Sequence, residues 1–141
     1  METGKMINQI SNRLRRRSRT IQESVGISGA QGNILNYILV ESSQKSVYQK
    51  DIEHEFGLRP STATEALKNL EKQGLIRRES EKEDGRYKKI VFTEKATQIE
   101  EILRSEITES EQLLLKGITP EEKAEFLRIA RKMLENLDHL S

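Results

Sequence analysis

The chain has no cysteine and no tryptophan, only two prolines, and no aromatic residues beyond three tyrosines and three phenylalanines in 141 residues. Without cysteine there is no disulfide framework, no thiolate metal site and no thiol redox chemistry. No apolar run approaches the roughly 18 residues that a membrane span needs. The basic N-terminal stretch lacks the apolar core of a signal peptide, so a cytoplasmic protein with no membrane partner is expected. Two histidines, His54 and His139, leave little material for a nucleophilic triad. Neither a P-loop nor a dinucleotide fingerprint is present. Glu53, His54 and Glu55 adjoin one another, but one histidine beside carboxylates reads as a solvated helix face rather than a metal site. The sequence therefore predicts no enzyme, no cofactor and no metal.

Aliphatic residues must fill the interior. Hydrophobic residues make up 34% and charged residues 33%, a balance that predicts long, half-exposed helices. The length suits one compact domain or two small ones sharing a core. The formal net charge of +1 conceals an uneven distribution. Residues 1–25 are net +4, residues 26–43 net −1, residues 44–92 net +2 and residues 93–141 net −4. A basic front half with an acidic end hints at a polyanionic partner, although helical salt-bridge patterning gives the same signature.

Apolar residues at Met6, Ile10, Leu14, Ile21 and Val25 recur at helical spacing. The other faces of that helix are polar and include Arg15-Arg16-Arg17-Ser18-Arg19. "VGISGAQG" (25–32), with three glycines, reads as a break. "NILNYILVE" (33–41) reads as a short buried helix. "SSQKSVY" (42–48) reads as a turn with a very short strand.

"QKDIEHEF" (49–56) has room for two helical turns, and Gly57 stands where a left-handed C-terminal residue is needed. Pro60 suits the first position of the next helix, which continues through "STATEALKNLEKQG" to a second stop at Gly74. Two helices joined by a short glycine-containing turn are a helix-turn-helix pattern. At about 100° per residue, the second helix gathers Ala63, Ala66, Leu67 and Leu70 on one side. Ser61, Thr64, Glu65, Lys68 and Lys72 gather on the other, with Thr62 on the flank. Small hydroxyl residues in the first turn let a helix N-terminus, with its free N–H groups and partial positive charge, approach another surface closely. A DNA recognition helix enters the major groove this way; an ordinary surface helix carries the same pattern.

"LIRRES" (75–80) and "YKKIVF" (87–92) read as strands joined through "EKEDGR" (81–86), with Asp84-Gly85 as the hairpin signal. A helix-turn-helix followed directly by such a hairpin is a winged helix. The fold class is thus mainly α with a small β-hairpin wing. Arg86 is the candidate groove probe and Asp84 its brace. Arg77, Arg78, Lys82 and Lys88 are candidate phosphate contacts, which set affinity and salt dependence rather than sequence choice.

From about Ile27 to Ala96 the chain resembles the MarR family (multiple antibiotic resistance regulators) of bacterial transcription factors. The residues that carry the resemblance are "ISGAQGNIL", "STATEALKNLEKQGLIRR", "EDGR" and "VFTEKA". Phe92 stands where the family commonly has Leu, Ala96 where it has Gly, and Gly85 where a charged residue is usual; none of these touches Asp84 or Arg86. The resemblance implies a homodimer on a palindromic double-stranded DNA operator, with residues 1–28 as an N-terminal dimerisation helix, 30–92 as the winged helix-turn-helix and 93–141 as C-terminal dimerisation helices. It also implies a repressor released by a small lipophilic or phenolic effector; "ISGAQG" most resembles the multidrug-sensing branch, but no motif assigns effector-binding residues.

The residues support the dimer independently. A long helix after Thr93 carries Ala96, Ile99, Ile102, Leu103, Ile107, Leu113 and Leu114 and ends at Gly117. A last helix, opened by Thr119-Pro120-Glu121-Glu122, carries Phe126, Leu127, Ile129, Ala130, Met133, Leu134 and Leu137. These stripes exceed what one winged domain covers, and burying them across a two-fold axis is the economical solution. Groove contacts are expected from Ser61, Thr62, Thr64, Glu65 and Lys68, and phosphate contacts from Lys45, Gln49 and Arg59. The competing reading is a winged-helix protein-interaction module without specific DNA binding.

Overall fold

The computed structural model describes residues 2–81 and 84–140, with backbone only at 81 and 84–86. Helices α1 (Thr3–Ser24), α2 (Gly29–Glu41), α3 (Gln49–Phe56) and α4 (Pro60–Lys72) precede a two-stranded antiparallel hairpin, β1 (Ile76–Glu81) and β2 (Asp84–Phe92). Helices α5 (Thr97–Leu114) and α6 (Pro120–Asp138) follow. The chain divides into two compact units, Met1–Ile107 and Thr108–Ser141.

In the first unit, Leu35, Ile38 and Leu39 of α2, Val47, Ile52 of α3, Leu67 and Leu70 of α4, Ile76 of β1 and Ile90 of β2 are all buried in one cluster. Leu103 of α5 closes it, with Ile99 and Ile107 packed alongside. Tyr37 packs edge-on against Phe56, with ring centroids 5.9 Å apart. Burial above all, then the charges of Glu41, Asp51 and Glu55, raises the Tyr37 hydroxyl above its ordinary pKa.

Local chemistry explains the boundaries. Gly57 takes φ 62° and Gly74 φ 76°. Each lets the next residue's N–H turn back to the helix: Leu58 donates to the Glu53 carbonyl at 2.9 Å and Leu75 to that of Leu70 at 3.0 Å. Pro60 stands in the first turn of α4. Thr119 accepts from the Glu122 N–H at 3.1 Å while its own N–H donates to the Glu122 carboxylate at 2.9 Å, capping α6 as expected.

Three expectations need correction. Residues 25–32 are not all a break, because α2 begins at Gly29. Ser28 and Gln31 form a reciprocal cap there, Gln31 N–H to Ser28 Oγ at 3.3 Å and Ser28 N–H to Gln31 Oε1 at 3.4 Å. Of the three glycines, only Gly26 has a positive φ, 78°.

The hairpin turn does not lie at Asp84-Gly85. Glu81 pairs with Asp84, so the connection is residues 82–83, outside the described residues, and the register shifts between Ser80 and Glu81. That irregularity places Asp84 and Gly85 in the strand backbone. Finally, residues 42–45 form a turn and a bend and residues 46–48 take no regular structure, so no strand forms there. One strand-like link survives: the Val47 carbonyl accepts from the Ile90 N–H at 2.7 Å. It ties the entry to α3 to the edge of β2.

At its far end the hairpin is anchored by Thr93. Its N–H donates to the Leu75 carbonyl at 3.1 Å, its hydroxyl donates to the Gly74 carbonyl, and its oxygen accepts from Ala96 N–H at 3.2 Å. The Phe-Thr-Glu-Lys-Ala segment is thus a strand terminus and a helix cap in one.

In the second unit α6 has no buried residue. Phe126 is 61% exposed, Leu134 60% and Leu137 64%.

Candidate nucleic-acid interface

Helix α4 is two-sided, as its periodicity predicts. Ala63, Leu67 and Leu70 are buried, whereas Ser61, Thr62, Glu65 and Lys68 are exposed. Arg59, the residue before the helix, is also exposed, and no side chain caps the helix start. The first-turn N–H groups have no partner inside the helix, and the helix dipole places partial positive charge there. Small hydroxyl residues surround this end.

Thr64 differs from its neighbours. It is half-buried, and its hydroxyl accepts from Gln49 Nε2 at 2.9 Å. The same amide nitrogen lies 3.1 Å from Glu53 Oε2 and 3.3 Å from the Pro60 carbonyl oxygen. Gln49 Oε1 accepts from Arg78 Nη1 at 3.2 Å. Arg78 in turn lies 3.3 Å from Glu71, close enough for an ion pair. Its Nε is nevertheless buried without an aligned hydrogen bond. One glutamine therefore links α3, the first turn of α4 and β1. The structure places Gln49, Thr64 and Arg78 in this internal network, whereas the sequence suggests three separate outward contacts.

The arginines of β1 face opposite ways, as pleating requires. Arg78 pairs in register with the buried Ile90 and Ser80 with Lys88, which puts Arg78 and Lys88 on the side facing the helices. Arg77 lies on the other side, ion-paired to Glu79, which Lys89 also approaches at 3.8 Å. Lys45 is exposed in the 42–48 loop and lines a depression with Lys89 and Val91. Lys82 lies outside the described residues, as do the side chains of Asp84 and Arg86.

Beside the network, a pocket of about 260 Å³ is lined by Tyr48, Gln49, Lys50, Arg78, Tyr87 and Lys88. Tyr48 and Tyr87 meet edge to face at 6.1 Å, and the Lys50 ammonium lies 5.9 Å from the first ring and 5.4 Å from the second. Sequence reasoning misses Tyr48, Lys50 and Tyr87. The available signal is the pairing of tyrosine with lysine in Tyr48-Gln49-Lys50 and Tyr87-Lys88, but the two segments meet through the fold, where the Ile90 N–H donates to the Val47 carbonyl and the two tyrosine rings touch. Among the described residues no cluster of three or more histidine, aspartate or glutamate side chains is arranged to hold a metal, and no helix is long and apolar enough to cross a membrane.

Comparison with known proteins gives concordant results. A family model described as the MarR family matches residues 25–86. The uncharacterized HTH-type transcriptional regulator YybA of Bacillus subtilis (strain 168) is 32% identical over 78 residues, 55% of this chain. The match spans about half of that relative's length, 52%. The crystal structure of the transcription regulator MarR from Oenococcus oeni PSU-1 is 28% identical, with a TM-score of 0.79 over 95% of this chain and 99% of the other. The S. aureus MepR–DNA complex is 26% identical, with a TM-score of 0.73 over 96% of this chain and 98% of the other.

Proposed function

We propose that the chain is a DNA-binding transcriptional regulator of the MarR family that grips duplex DNA between α4 and the hairpin; the match of residues 25–86 to that family's model supports this reading. The observation that carries this reading is the exposed first turn of α4, small, hydroxylated and uncapped, beside a hairpin whose helix-facing side carries the exposed Lys88. Likeness to a protein solved on DNA supports it. Ser61, Thr62, Glu65 and Lys68 reach base edges, while Lys45, Arg59 and Lys88 meet phosphates.

The functional unit is a homodimer on a palindromic site. The exposed apolar side chains of α6 support this reading, because a second copy removes them from water without creating an open-ended assembly. The regulator acts as a repressor, released when a small lipophilic or phenolic compound binds.

The test is a fluorescence-anisotropy titration of purified protein onto labelled duplex DNA at several salt concentrations. The expected result is binding whose logarithm falls linearly with the logarithm of salt concentration, at about 0.9 per phosphate neutralised. Absence of binding in dilute buffer contradicts the proposal.

A further inference from the structure

We propose that the pocket between the start of α3 and β2 is the seat of one backbone phosphodiester of duplex DNA, with Lys50 as its principal cation. This rests on the DNA-binding reading above and names a residue and a site within it.

Three cationic side chains and no carboxylate are among the described residues lining the pocket. The cations differ in how they are held. Arg77, Arg78 and Lys89 each have a glutamate within ion-pairing distance. Among the described residues, no carboxylate lies within ion-pairing distance of Lys50. Instead its ammonium stands near two tyrosine rings. Aromatic neighbours attract a cation without neutralising it. They also restrict a flexible side chain before any ligand arrives, which lowers the ordering cost of binding. Among the described residues, this leaves a positioned positive charge without a carboxylate partner in the lining of a concavity. Of the acids on α3, Asp51 accepts from the Tyr48 N–H at 2.9 Å and Glu53 from Gln49 Nε2 at 3.1 Å, and neither is among the described residues lining the pocket.

Size and placement narrow the ligand. At about 260 Å³ the pocket is smaller than the roughly 300–1,000 Å³ typical of drug-sized sites; it fits an anionic group better than a whole lipophilic molecule. A phosphate ester comes either from the DNA backbone or from a free phosphorylated compound. Placement favours the backbone. Gln49, one wall of the pocket, is hydrogen-bonded to the Pro60 carbonyl in the first turn of α4 and to Thr64 just past it. A duplex seated on that turn brings its sugar-phosphate strand alongside. Phosphate contacts fix register without reading sequence, so the site sets affinity and leaves base preference alone.

The experiment compares the full-length wild-type chain with Lys50→Gln and Lys50→Arg in anisotropy titrations across a salt series, on a bound duplex and on a scrambled one. Lys50→Gln is expected to weaken both duplexes by the same factor and to reduce the salt slope by about 0.9. Lys50→Arg is expected to keep the wild-type slope. If wild type binds with a steep salt dependence and Lys50→Gln leaves the slope unchanged, the phosphate seat is wrong while the regulator reading stands. If wild type binds no duplex, the regulator reading fails and this site fails with it. A third arm titrates inorganic phosphate while following tyrosine fluorescence. Tight saturation that Lys50→Gln abolishes, with duplex affinity untouched, assigns the pocket to free phosphate esters and overturns the proposal.

Discussion

Gln22 of α1 is a polar side chain only 2% exposed, and its amide occupies the space that Gly32 of α2 leaves open. A Cβ built on Gly32 comes within 2.1–2.3 Å of the Gln22 amide atoms, and Gln22 Nε2 has no hydrogen-bond partner. Two effects therefore oppose each other in Gly32→Ala. Helix propensity favours alanine by up to about 1 kcal/mol. Displacing a packed side chain costs about 1–3 kcal/mol. The clash wins while Gln22 is present, so Gly32→Ala alone lowers stability in thermal melts. In a Gln22→Ala background the same change raises it. Equal effects in the two backgrounds contradict the steric account. Of this pair the sequence reveals only a glycine in a helical stretch, because the reason for it is a residue from another helix. Gln49 shows the same limit: its position at the helix start is legible, but its bonds to Thr64, Pro60 and Arg78 depend on three elements meeting in space. Arg77 and Arg78 are adjacent in sequence, and pleating sends them to opposite sides.

At the scale of elements, the legible features are those with short-range causes. Gly57 and Gly74 stop their helices with left-handed backbones, Pro60 and Thr119 open theirs, and the apolar stripe of α4 faces the core. Gly57 gives a clean test. At φ 62° any side chain costs about 1–2 kcal/mol, and nothing lies within 4 Å of a Cβ built there. Gly57→Ala should therefore lower the denaturation midpoint through backbone strain alone. Gly57→Asn should lower it less, since Asn tolerates this conformation better. Equal loss for both contradicts a backbone cause. Two boundaries are less legible. The start of α2 is hidden because its glycines look like a loop, although Ser28 and Gln31 spell a capping box. The hairpin turn is displaced because Asp-Gly is a strong local signal that the Glu81–Asp84 pairing overrides.

For the whole molecule, a basic front half and an acidic end become intelligible if the first unit meets DNA. The described cations of the candidate interface all lie within Met1–Ile107. In the proposed homodimer, a second copy covers the apolar side chains that α6 leaves exposed. A two-fold protein imposes its symmetry on its site, so half-sites should repeat about one helical turn of DNA apart or a multiple of it. The most direct test is selection of bound duplexes from a random-sequence pool by the full-length protein, followed by sequencing. The account predicts an enriched palindrome with two equivalent half-sites. A pool that stays unenriched after repeated rounds contradicts it.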